Sequence, residues 1–151
     1  MKNIKMKMNI NEAKQILNRS GYLLEDYGGY KKEKRVKFSY LYCLLKSKGV
    51  DMMLDAGDAV KSCSINFTLD DVDVYIANDK FGSPYRGTNE SDDTVYLSVL
   101  LNDEDGTSRE KEVDLDTIIS FVEKGNLNKI KEIAQEIKND ESIDVDGADY
   151  T

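Results

Sequence analysis

The chain has 151 residues, 40% of them hydrophobic and 33% charged, with nine Tyr, four Phe, one Pro, two Cys and neither His nor Trp. That length holds one domain of ordinary size with its own core. The missing histidine excludes Ser-His-Asp and Cys-His catalysis, HExxH zinc chemistry and imidazole acid–base work.

The net charge of −8 is unevenly spread: residues 1–50 hold twelve Lys/Arg against four Asp/Glu, a net +8, and residues 51–151 hold nine against twenty-five, a net −16. An asymmetry of this size is a statement about partners rather than about fold.

In chain order, Asn9-Ile-Asn-Glu12 has the form of a capping box, and Ile10, Ala13, Ile16 and Leu17 recur at helical spacing. This predicts a helix over about 10–20 that stops at Gly21. Tyr22 to Asp26 reads as extended, and Gly28-Gly29 as a turn. From Lys32 to Lys48 the pattern is helical again, with Val36, Tyr40, Cys43, Leu44 and Ser47 on one side, Leu41 and Leu45 widening the stripe, and Gly49 ending it. Asp51 to Lys61 reads as a short helix with a breaker at Gly57.

The period then changes. Ser64–Leu69 and Val72–Ala77 read as strands joined by a tight turn at Asp70-Asp71. In Thr94–Leu101, Val95, Leu97, Val99 and Leu101 share one face and Tyr96, Ser98 and Leu100 the other. Asp103-Glu104-Asp105-Gly106 is a turn, and Arg109–Asp114 returns as the partner strand. Asp116 caps a final helix, with Leu115, Ile118, Ile119 and Val122 as its first stripe. Gly125-Asn126 interrupts it, and Leu127, Ile130, Ile133, Ala134 and Ile137 continue to about Lys138. The expected fold is therefore α+β: N-terminal helices, an antiparallel sheet of about four strands in two hairpins, and a C-terminal helix packed on the sheet. Residues 1–138 form the single domain, and 139–151 an acidic tail expected to be disordered.

The motif search yields little chemistry. Two cysteines without histidine do not complete a common zinc site, and no phosphate-binding glycine motif occurs. Ser142-x-Asp144-x-Asp146-Gly147 and Asp103-x-Asp105-Gly106 brush against the calcium-loop pattern, but each lacks an essential ligand position and reads as a turn. The expectation is a protein with no catalytic residues, no cofactor and no metal site. No stretch approaches the roughly 18 apolar residues of a membrane span, and no apolar run follows the lysines of residues 1–8. Cys43 and Cys63 read as buried, reduced thiols, and the expected location is the cytoplasm.

Three surfaces stand out. Glu110, Glu112 and Asp114 alternate along a strand, so they project from one face about 7 Å apart, with Asp116 beyond them and Asp70, Asp71 and Asp73 as further contributors. That spacing is close to the phosphate spacing of a nucleic-acid strand, and the row is equally the solvated face of a half-covered sheet. Lys31-Lys32-Glu33-Lys34-Arg35-Val36-Lys37, leading into Phe38, Tyr40 and Tyr42, reads either as a nucleic-acid-binding segment or as a core helix with a solvated cationic first turn. The loop Phe81-Gly-Ser-Pro-Tyr85-Arg86-Gly87 offers Tyr85 and Arg86 as contact residues.

The segment from Met8 to Leu17, followed by Gly21-Tyr22-Leu-Leu-Glu25, resembles the start of small uncharacterised accessory proteins of bacteriophages. The resemblance implies a protein that binds and blocks a host factor, or a minor virion component. Acidic inhibitors of nucleic-acid-binding defences, anti-CRISPR proteins among them, are the subset whose charge agrees with this chain. The leading expectation is thus an interaction protein whose partner is a host protein with a basic surface, met through Glu110, Glu112, Asp114, Asp116, Asp71, Asp73, Tyr85 and Arg86. The alternatives are a homo-oligomeric structural subunit and a nucleic-acid-binding module using residues 31–42, the charge disfavouring direct nucleic-acid contact.

Overall fold

The computed structural model describes residues 32–78, 94–102 and 106–145. The predicted helix at 10–20, the turn at Gly28-Gly29 and the 81–87 loop lie outside them.

Helix α1, Lys32–Ser47, ends where the sequence predicts. Gly49 takes a left-handed φ of +79°, its N–H reaches Lys46 O at 3.0 Å, and the Val50 N–H reaches Leu45 O at 3.1 Å. These two bonds satisfy carbonyls the helix leaves open, at a conformation that favours glycine. Gly125 repeats the device between helix α3, Leu115–Glu123, and helix α4, Leu127–Asn139. There Gly125 N–H reaches Val122 O and Asn126 N–H reaches Phe121 O.

The predicted helix over 51–61 is divided. Asp51–Met52 is a short strand, β1, and helix α2 runs Ala56–Ser62 through Gly57. The reason is local: Asp55 has extended backbone and its carboxylate accepts from the Asp58 N–H at 2.8 Å, which starts the helix at Ala56. The upstream residues are then free to pair, with Asp51 opposite Thr68 and Met52 opposite Phe67.

Strands β2, Ser64–Leu69, and β3, Val72–Ala77, match the predicted bounds. Strand β4, Thr94–Asn102, and β5, Thr107–Asp114, are each slightly longer than predicted. The sheet has five antiparallel strands in the order β1-β2-β3-β4-β5, one more than the two expected hairpins. Between Leu100 and Asn102 the β4–β5 register is irregular.

The α+β prediction holds, with the described helices on one face of the sheet. Ile65, Phe67, Val74, Ile76, Val95, Leu97 and Val99 are fully buried in one cluster with Phe38, Leu41 and Leu45 of α1, Leu115 and Val122 of α3, and Ile130 and Ala134 of α4. Each such side chain contributes about 1.5–3 kcal/mol by leaving water. Alternation along the strands then sends the intervening residues to the outer face.

Three basic residues are used inside this fold. Lys34 is 2% exposed, and its Nζ donates to Thr94 O at 2.6 Å. Arg35 is fully buried, and its Nη1 donates to Val60 O at 3.4 Å. Arg109 donates from Nη1 to Lys138 O at 2.7 Å and from Nε to Ile143 O at 3.0 Å. The solvated cationic first turn expected for α1 is therefore corrected at Lys34 and Arg35. Main-chain carbonyls in the interior, which a sequence pattern does not display, accept their protons. Arg109 also holds Asp140–Ile143 against the domain, with Ile143 packed on the core, so the folded unit extends past Lys138 into the segment assigned to the tail.

The basic helix faces the acidic half of the chain. Lys37 pairs with Asp116 at 3.0 Å, and the Tyr40 hydroxyl donates to Glu123 Oε2 at 2.5 Å. Burial, then the Glu123 carboxylate as hydrogen-bond partner and as charge, hold the Tyr40 phenol well above its ordinary pKa.

Candidate functional site

The outer face of the sheet follows from the register. Asn66, Tyr75, Ser98 and Glu110 stand opposite one another across β2 to β5. One row away, Thr68 faces Asp73, and Leu100 faces Ser108. On the other side of the first row, Tyr96 faces Glu112 and Thr94 faces Asp114. Adjacent strands are about 4.8 Å apart and residues i and i+2 about 6.7 Å apart, so these side chains share one patch.

A cavity of about 410 Å³ opens on that patch, lined by Met53, Asn66, Asp73, Val74, Tyr75, Ser98, Leu100 and Ser108. Its floor is polar. Ser98 is 3% exposed and donates to Glu110 Oε2 at 3.1 Å. Ser108 is 2% exposed, and its buried Oγ has no hydrogen-bond partner among the described residues. Asp73 accepts from Thr68 Oγ1 at 2.7 Å. At the rim, Met53 is 61% exposed, a large apolar side chain left in water.

No protein-family model, curated protein or solved structure matches this chain.

The predicted contact residues separate into groups. Glu110, Glu112 and Asp114 do share the outer face, but the row is graded rather than even. Glu110 is half-buried against Ser98 and Glu112 is exposed. Asp114 is the N-cap of α3, accepting from the Thr117 N–H at 2.9 Å and the Thr117 Oγ1 at 2.6 Å. This corrects the cap predicted at Asp116, which lies in the first turn of α3 and pairs with Lys37 instead. Asp73 lies at the cavity, Asp71 is exposed in the β2–β3 turn, and its neighbour Asp70 pairs with Lys131 at 2.5 Å. Tyr85 and Arg86 are outside the described residues.

Of the basic segment, the described side chains are committed within the fold: Lys34 and Arg35 to carbonyls, Lys37 to Asp116, and Phe38, Tyr40 and Tyr42 to the core. Cys43 and Cys63 are both buried. Among the described residues no group of His, Cys, Asp or Glu is placed to hold a metal, and no helix is long and apolar enough to cross a membrane.

Sequence reading picked out Asp73 and Glu110 but missed Asn66, Tyr75, Ser98 and Ser108. Their signal is present as polar residues at every second position of β2, β3, β4 and β5. It gains meaning only once the register sets the strands side by side.

The capping role of Asp114 gives a first prediction. Asp114→Ala should lower stability by about 1 kcal/mol, read as a lower urea midpoint, whereas Asp116→Ala should change it by less than about half of that.

Proposed function

We propose that this protein is a non-enzymatic interaction module that docks its acidic outer sheet face on a basic surface of another protein. The observation that carries the reading is the division of labour across the sheet. The described helices cover one face, while Asp73, Glu110 and Glu112 stand on the other around a cavity. The burial of Lys34, Arg35, Phe38 and Tyr42 supports it too, because those groups are spent inside the fold. Attraction between an acidic patch and a basic one speeds encounter and selects partners, and added salt weakens it. The bacteriophage resemblance suggests the setting: a nucleic-acid-handling host protein whose basic cleft this face would occupy.

A self-assembling structural subunit fits this face less well. Antiparallel pairing of two β5 copies would set Glu110 and Glu112 against their counterparts, a like-charge arrangement that destabilises a sheet.

The test uses two exposed residues, Asp71 in the β2–β3 turn and Glu112 on β5. Asp71→Lys with Glu112→Lys should leave the circular dichroism spectrum and melting temperature near those of the wild type. It should abolish capture of a basic protein that the wild type holds at about 0.05 M salt and releases at about 1 M. Capture that survives both substitutions overturns the reading. Reversal at Glu110 or Asp114 would confuse the result, since each holds a hydrogen bond of the fold.

A further inference from the structure

We infer that the outer-face cavity receives the side chain of an arginine presented by the basic partner, an inference that rests on the docking reading of this face.

The cavity's volume of about 410 Å³ falls within the range of roughly 300–1,000 Å³ typical of binding sites. Its chemistry is selective in sign and shape. Asp73 lines it, and Glu110 stands beside Ser98 in the adjoining row, so an anionic guest would meet two carboxylates. The other polar groups include the Asn66 amide and the hydroxyls of Tyr75, Ser98 and Ser108, whose oxygens all accept hydrogen bonds. A guanidinium brings five donors in a fixed plane and no acceptor, which complements such a lining.

The buried Ser108 hydroxyl is a second, independent pointer. It lines the cavity, and its Oγ lacks a protein partner. A buried polar group in that condition destabilises the fold. An N–H of the guest that reaches this oxygen relieves the deficit.

The apolar parts fit the rest of the same side chain. The Tyr75 ring offers a face on which a planar cation stacks. Met53 and Leu100 offer surface for a three-carbon stem. The exposure of Met53 at the rim is explained when a partner's backbone closes over it. Lysine would supply charge without a plane for Tyr75 and without the fork that spans several acceptors.

The probe is N-acetyl-L-arginine methylamide, titrated into the full chain and followed by the amide resonances of Ser98, Leu100 and Ser108. Saturable shifts there, with a dissociation constant on the order of 1 mM and at least about tenfold weaker binding of the matched lysine and citrulline derivatives, would support the inference. Shifts that fail to saturate by about 50 mM, or equal response to uncharged citrulline, would overturn it. Agmatine binding more than about tenfold tighter than the blocked arginine would also overturn it, by making the guest a free small molecule.

Ser108→Leu, which fills the cavity, should abolish the shifts, and unchanged probe binding would overturn the location. Should that variant fold poorly, Asp73→Asn keeps the shape and should still weaken the probe about tenfold. The docking reading fails separately: Asp71→Lys with Glu112→Lys leaves the cavity lining intact, so lost partner capture with retained probe binding supports both. Retained capture by that variant overturns the docking reading whatever the probe does.

Discussion

Replacing Arg35 with alanine should lower stability by about 3–5 kcal/mol, a large share of the roughly 5–15 kcal/mol that holds a domain folded. Arg35 is among the largest side chains with no exposure at all. Truncation removes its packed aliphatic stem, leaving a void, and takes a donor from Val60 O, one of the last carbonyls of α2. A cation there also meets the negative end of the helix. The Cys63 N–H still reaches that carbonyl at 3.4 Å, so Val60 O keeps a donor after truncation. Arg35→Met, which refills the space without a charge to desolvate, is therefore expected within about 1.5 kcal/mol of the wild type. Urea unfolding checks both: the alanine variant's midpoint should fall by about 2 M with the methionine variant close to the parent. Equal loss in the two would show that the guanidinium bond, not packing, holds the site.

Arg109→Ala should cost about 2–3 kcal/mol and lower the melting temperature by roughly 5–10 °C. Two charge-assisted bonds disappear together, to Lys138 O at the end of α4 and to Ile143 O beyond it. The planar fork holds both carbonyls at once, which a lysine ammonium does less well, so Arg109→Lys should recover less than half of the loss. The effect should be local as well as global. Without the clamp, Asp140–Ile143 loses its tie to β5, and amide exchange and proteolysis should rise there before they rise in β3 or β4. Protection of 140–143 that stays at the wild-type level would assign the anchoring to the Ile143 side chain alone.

These two residues also mark where sequence reasoning stops. The strands at 64–69 and 72–77 were legible because one face is buried, and burial imposes a period of two that the residues carry themselves. The stops at Gly49 and Gly125 were legible because left-handed backbone selects glycine. Arg35 and Arg109 were not, since a cation's partner inside a fold is a carbonyl, and carbonyls are identical along every chain. The pairing of Asp51 and Met52 was hidden for a related reason: a strand two residues long has no period and is defined by its neighbour. At Asp114-Leu-Asp116 the residue types allowed either cap. The backbone decided, because Asp114 is the one that keeps extended angles and accepts from Thr117 N–H three residues on.

The candidate face was half legible. Alternation placed Glu110 and Glu112 on one side of β5, as the register does. It did not foresee that Glu110 turns to Ser98, that Asp114 is taken by a helix, or that two serines would meet Asp73 across strands distant in sequence. A site assembled from rows across a sheet is written in the register, and a single sequence lists only the columns.

The apolar cluster that the described residues form on one side of the sheet has a consequence for descent. Met53 and Leu100 are not members of it, so mutations at these two positions draw little on folding stability. Arg35, Lys34 and Arg109 look like surface residues by type but are constrained as interior ones. Lineages carrying this fold should hold those three cations nearly fixed while the opposite face turns over quickly, free to follow whatever partner it meets.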